Sequence, residues 1–134
     1  MELEPYLFFD GTCEEALNFY AGIFNGEITS LNRFEGTPGT EHAPAGYGNK
    51  IMHANFKSPS LKFMASDMPG GDRSGEGRIS LSLASSDVAE GTRVFDALAE
   101  GGKISMPLAK QFWGDTFGSL TDKYGIDWMV NCSG

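Results

Sequence analysis

The sequence predicts an α+β fold made of two βαβββ modules, and three observations carry that prediction. The halves repeat: a shift of 76 positions lays Phe19 on Phe95, Glu14 on Glu90, Ala21 on Ala97, Gly26 on Gly102 and Ile28 on Ile104. Each half also runs in the same order, strand, capped helix, glycine stop and three strands. Finally, Arg78, Ser80 and Ser82 alternate with Ile79, Leu81 and Leu83, the period-two pattern of a strand with two different faces. The modules run over about 1–68 and 76–134, with the polar stretch 69–77 between them. Each is too small to close a core alone, so the two are expected to pack as one domain over 1–134.

The elements follow in order. Leu3 to Asp10 is rich in aromatic and branched residues and reads as a strand, with Pro5 near its start, where proline is tolerated. Thr12 is placed to cap the first helix, and Glu15 stands at the capping-box spacing. Ala16, Phe19, Tyr20, Ile23 and Phe24 share one helical face, and Asn25-Gly26 is the stop. Glu27 to Phe34 reads as a strand and 35–49 as a Gly- and Pro-rich loop. Lys50 to Lys57 and Leu61 to Met68 read as a hairpin around Ser58-Pro59-Ser60. In the second half, Ser86 or Asp87 caps a helix carrying Val88, Phe95, Leu98 and Ala99, and Gly101-Gly102 ends it. Lys103 to Met106 reads as a short strand. Phe112 to Leu120 and Ile126 to Cys132 are further strands, joined by the turn Asp122-Lys123-Tyr124-Gly125.

Composition narrows the function. Eighteen acidic against ten basic residues leave a net charge of −8, which repels phosphate backbones and anionic membranes. Neither nucleic acid nor a membrane is therefore an expected partner. The two cysteines, Cys13 and Cys132, are too few for a disulfide scaffold. No apolar run approaches the roughly 20 residues of a membrane helix. The expected location is the cytoplasm.

Several stretches together resemble a known family. They are Pro5-Tyr6-Leu7-Phe8-Phe9, Glu14-Glu15-Ala16 with Phe19-Tyr20, Met52-His53-Ala54, Asp67, and Gly101-Gly102-Lys103 before Met106-Pro107-Leu108. Phe112-Trp113-Gly114, Phe117-Gly118, Asp122, Tyr124-Gly125 and Trp128-Met129-Val130-Asn131-Cys132 complete them. The pattern resembles the PhnB-like family of the vicinal oxygen chelate (glyoxalase/bleomycin resistance/dioxygenase) superfamily. The resemblance implies paired βαβββ modules forming a curved mixed sheet around a cavity, and a homodimer. It also brings a 3-demethylubiquinone methyltransferase description for some relatives. The sequence does not support that description, since no glycine-rich loop follows a strand to hold S-adenosylmethionine.

Metal-using members of the superfamily take His, Glu or Gln ligands from four strands. Carried over by strand position, the ligands fall near Pro5, Met64, Arg78 and Met129. None is a usual ligand for a divalent ion, and Arg78 would repel a cation. No metal and no cofactor are expected. His53 is the candidate catalytic residue, as a general base or as a hydrogen-bond donor to a substrate. His42 reads as a solvated loop residue. Arg78 is placed to hold an acidic group of a ligand, or to pair with Asp127. Asp67 reads either as a turn cap or as a ligand-binding acid. Trp113 and Phe117 are candidates for an aromatic pocket wall, or for core and dimer contacts. Asp127, Met129 and Asn131 alternate with Ile126, Trp128 and Val130, which puts the first three on the ligand side. Glu14 and Glu15 oppose a reactive thiolate at Cys13, and Cys132 reads as a buried strand residue.

The expected function is therefore small-molecule binding between the modules without the superfamily metal, with or without catalysis. The alternatives are a metal-dependent glyoxalase-type lyase or dioxygenase, and a non-catalytic protein that sequesters a drug or toxin.

Overall fold

A computed structural model describes residues 1–36, 43–71 and 79–133. The expectations placed on His42, on Arg78 and on most of the 69–77 stretch lie outside the described residues. The chain divides into two compact units, Met1–Asp72 and Arg73–Gly134.

The first unit holds β1 (Tyr6–Phe9), α1 (Cys13–Phe24), β2 (Glu27–Arg33), β3 (Ile51–Lys57) and β4 (Lys62–Asp67). Its sheet runs β1-β4-β3-β2, with β1 parallel to β4 and the other pairs antiparallel. The second unit holds β5 (Leu81–Ser85), α2 (Val88–Ala99), β6 (Lys103–Lys110), β7 (Thr116–Thr121) and β8 (Asp127–Cys132). Its sheet runs β5-β8-β7-β6, the same order strand for strand, again with one parallel pair. These are the two mixed four-stranded sheets and two helices of the expected α+β class.

Each core lies between its helix and one sheet face. In the first unit Leu7 and Phe9 are buried, while Tyr6 and Phe8 alternate with them and stay exposed. The Tyr20 ring of α1 meets Phe63 edge-on at 6.0 Å, and Phe63 stacks on Phe56 at 4.7 Å. In the second unit Trp128, Val130 and Cys132 of β8 are buried, beside Phe95 and Leu98 of α2. Each such large side chain contributes about 1.5–3 kcal/mol by leaving water.

The cap of α1 needs correction, and the other helix ends are narrowed to single residues. The Thr12 side chain makes no capping bond to α1. Instead, Asp67 at the end of β4 accepts the Cys13 N–H at 2.9 Å. A carboxylate is the stronger acceptor, so a distant strand supplies the cap that local sequence offered. Asp87, not Ser86, caps α2 by accepting the Ala89 N–H. The left-handed residues that stop the helices are Asn25 and Gly101, at φ of 53° and 75°. Gly26 and Gly102 instead allow close approach. A Cβ would stand 2.5 Å from the Phe56 ring at the first and 2.3 Å from the Thr121 carbonyl at the second.

The expected short strand Lys103 to Met106 continues to Lys110 as β6. Pro107 is tolerated because β6 is an edge strand, and register shifts surround it. Strand β7 starts at Thr116 rather than Phe112. Gln111 and Asp115 close a turn there, with Gly114 at φ of 102°, and Phe112 projects into solvent.

Two helix glycines test the packing. Nothing lies within 4 Å of a Cβ at the exposed Gly22, whereas at Gly91 it would stand 2.1 Å from the Cys132 sulfur. Gly22→Ala should stabilise by about 0.5–1 kcal/mol. Gly91→Ala should destabilise by about 1–3 kcal/mol, part of it recovered by adding Cys132→Ala. Urea unfolding of the variants checks both signs.

Candidate functional site

Two buried carboxylates organise the surroundings of the candidate residues. Asp67, 2% exposed, accepts the Cys13 N–H with one oxygen and the Ile51 N–H with the other, each at 2.9 Å. It thereby joins the first turn of α1, the start of β3 and the end of β4. Asp122, in the turn before β8, accepts the Tyr124 and Ile126 N–H groups and the Trp128 indole N–H. A carboxylate accepting several N–H bonds suits a buried site, because its charge is met on every side.

His53 lies in β3, and Ala54 and Phe56 beside it are buried under α1. His53 itself is half-buried and points to the opposite, open face of the sheet. There its Nδ1 lies 3.2 Å from the Tyr6 hydroxyl. The Tyr6 and Phe8 rings stack at 4.8 Å, and the Tyr6 and His53 rings lie 5.8 Å apart. Register places Met64 beside Tyr6 and Ser66 beside Phe8 on the same face. The open face thus carries a row of three rings ending in an imidazole. Asp67, on the helix side, does not join it.

In the second unit the open face holds Asp127, Met129 and Asn131 of β8, as their alternation predicted. Phe117 pairs with Asn131, and Ser82 with Met129. The Trp113 ring meets Phe117 at 6.3 Å, so these two come together. Asp127 accepts the Thr121 hydroxyl at 2.6 Å. It stands four residues along β8 from Asn131, about 13 Å by strand rise. The partner named for it, Arg78, lies outside the described residues.

A polar notch of about 300 Å³ lies on the helix side of the first unit, lined by Gly11, Glu14, Arg33, Lys50 and Asp67 among others. Arg33 binds the Glu14 carboxylate through two N–H bonds of 3.0 Å, and Lys50 donates to the Gly11 carbonyl. The Arg33 hydrogen bonds hold the Glu14 carboxyl below its ordinary value, and Glu14 raises Arg33. The Asp10 carboxyl is lowered too, first by the Tyr47 hydroxyl and then by the Gly70 N–H. Sequence reasoning did not single out this notch, because its residues come from four separate stretches.

Both cysteines are buried free thiols. Burial, then the charges of Asp67 and Glu14, pushes the Cys13 thiol up to about 12. Burial, then Asp87, Glu90 and Asp115, raises Cys132. A helix N-terminus ordinarily favours a thiolate, and here desolvation outweighs it.

A metal centre of the superfamily type does not fit these residues. Met64 and Met129 offer only soft thioethers, and the Pro5 carbonyl accepts the Met64 N–H. Among the described residues no three His, Cys, Asp or Glu side chains are grouped to hold an ion. Nor, among them, is any helix long and apolar enough to cross a membrane.

Residues 1–131 match the family model described as 3-demethylubiquinone-9 3-methyltransferase. The chain is 39% identical over 140 residues to protein YjdN of Escherichia coli, covering 98% of this chain and 95% of that one. The crystal structure of PA1353 from Pseudomonas aeruginosa is 40% identical, with a TM-score of 0.85 over 98% of this chain and 97% of the other. A PhnB protein from Bacillus cereus is 30% identical, with a TM-score of 0.79 over 98% and 99%. Likeness of fold alone extends to a glyoxalase/bleomycin resistance protein/dioxygenase superfamily member from Sphaerobacter thermophilus. It is 17% identical, with a TM-score of 0.58 over 98% and 97%.

Asp67→Asn replaces one acceptor oxygen by an N–H that faces a backbone N–H. It should destabilise by about 2–3 kcal/mol, against about 1 kcal/mol for the exposed cap Asp87→Ala, measured by urea unfolding. The Cys13 thiol has a further consequence. An unfolded thiol ionises near its ordinary value of 9.0, the native one near 12, so stability is lost as pH rises between them. Cys13→Ala should flatten the alkaline fall of the unfolding midpoint, and a thiol reagent should label the native protein only after denaturation.

Proposed function

Because the chain belongs to the PhnB-like family, whose model is described as 3-demethylubiquinone-9 3-methyltransferase, and shares the glyoxalase/bleomycin resistance/dioxygenase fold, we propose that it binds a small molecule without a metal. The binding surface in this reading is the open face of the first sheet, with His53 as the group that touches the ligand. The observation that carries it is the Tyr6–His53 hydrogen bond at the end of an exposed ring row. Exposed aromatic rings beside a polar group suit a planar or partly apolar ligand. Trp113, Phe117 and Asp127 of the second unit are proposed, separately, as ligand-contacting residues, and Arg78 as an anchor for an acidic group.

The methyl transfer named in the family description finds no matching loop. The strand-to-helix turns at Asp10-Gly11-Thr12 and Ser86-Asp87 hold one glycine between them, not a glycine-rich phosphate or cofactor cradle. The proposal includes the cytoplasm, supported by two buried free thiols, and a homodimer. Supporting the dimer, Ile104, Met106, Phe112 and Trp113 leave apolar surface exposed on and beside β6.

A thermal-shift screen with small carboxylic acids, phosphonates and neutral carbonyl compounds tests the binding. At least one class should raise Tm, and His53→Ala should remove that rise while leaving the unliganded Tm within about 2 °C. No shift with any class would sink the proposal. Recovery of the stabilising compound unchanged after incubation marks a binding protein, and its conversion marks an enzyme.

A further inference from the structure

We infer that His53 meets its ligand as a hydrogen-bond donor, through Nε2–H, and that Tyr6 is the positioning residue that makes it one. The inference rests on the binding face proposed above and deepens it. It selects ligands that set an oxygen acceptor on a planar apolar body, and it removes the general-base alternative for the resting protein.

The Tyr6 hydroxyl lies 3.2 Å from His53 Nδ1. Between a phenol and a neutral imidazole, the phenol is the stronger proton donor and the imidazole nitrogen the stronger acceptor. The O–H therefore donates to Nδ1, whose lone pair is then occupied. A neutral imidazole carries one N–H, so the proton sits on Nε2. Among the described residues Nε2 has no hydrogen-bond partner, and it is left to the open face.

Tyr6 is itself fixed. Its ring stacks on Phe8 at 4.8 Å and 30°, and its backbone lies in the β1–β4 ladder opposite Met64. His53 is fixed from the other side, by pairing with Asn32 of β2. Tyr6 and Phe8 remain 36% and 41% exposed, a shelf on which a planar body can rest with its oxygen toward Nε2–H. The net charge of −8 disfavours anions at long range, so at the His53 contact itself a neutral carbonyl oxygen is the best-matched acceptor, whatever group Arg78 anchors elsewhere.

The test uses the full chain labelled with ¹⁵N and carrying His42→Asn, so that His53 is the sole histidine. Long-range ¹H–¹⁵N correlation at about pH 8.5, where an ordinary histidine is neutral, reads the tautomer directly. A bare Nδ1 and a protonated Nε2 are expected. Tyr6→Phe, which keeps the ring row, should release Nδ1 and yield a mixture of tautomers. A protonated Nδ1 in the parent, or an unchanged pattern in Tyr6→Phe, overturns the inference.

The donor role is read separately with N,N-dimethylbenzamide, which accepts hydrogen bonds but cannot donate. His53→Gln keeps an N–H donor and should bind this probe within about threefold of the parent. His53→Ala should lose about fivefold or more, one hydrogen bond's worth. Equal losses in the two variants overturn the donor role. If the probe moves no resonance of Tyr6, Phe8 or His53, the binding-face reading fails, while the tautomer stands or falls on its own spectrum.

Discussion

Asp67 is the constraint on which the first unit depends. Its two oxygens hold the N–H that opens α1 and the N–H that opens β3, while its backbone pairs with Phe9 at the end of β1. One buried carboxylate thus ties the helix start to three strands. Once those ends are joined, the pleat decides the rest. Leu7 and Phe9 must face α1, and Tyr6, Phe8 and His53 are turned to the other side. The candidate site is therefore a consequence of a contact made on the opposite face of the sheet.

The second unit solves the same problem with different residues. The repeat carries Phe9 onto Ser85, and Ser85 pairs with Cys132 as Phe9 pairs with Asp67. Where the first unit has a carboxylate, the second has a neutral thiol, so no strand residue reaches out to cap the helix. The cap comes instead from Asp87, in the turn just before α2. Against that thiol α2 packs so closely that only a glycine, Gly91, fits. The last position of the fourth strand of the module thus meets the helix through a carboxylate in one unit and through a thiol against a helix glycine in the other.

The two open faces have diverged as well. The first carries the Phe8–Tyr6–His53 row, and its polar chemistry lies at one end of that row. The second spreads its polar groups along β8, with Asp127 held by Thr121 and Asn131 by Asp115. Those groups already serve one another, whereas His53 keeps a free ring nitrogen among the described residues. That difference is why His53 leads the functional proposal.

The sequence by itself determined the modules, the order of their elements and the alternation that sorts residues between faces. Those features are local, set by periodicity, turn residues and the repeat, and they were legible in Asp127, Met129 and Asn131 as much as in the two helices. His53 was legible as a candidate because an imidazole can give or take a proton near neutral pH and Met52-His53-Ala54 matches the family pattern. Its partner was not, since Tyr6 lies 47 positions away and reaches His53 across β4. The role of Asp67 was open for the same reason, its donors standing 54 and 16 positions distant. Only the tertiary structure decided which nitrogen His53 presents and which acid caps α1. Both depend on hydrogen bonds between strands, and no local pattern encodes which side chains a sheet will bring together.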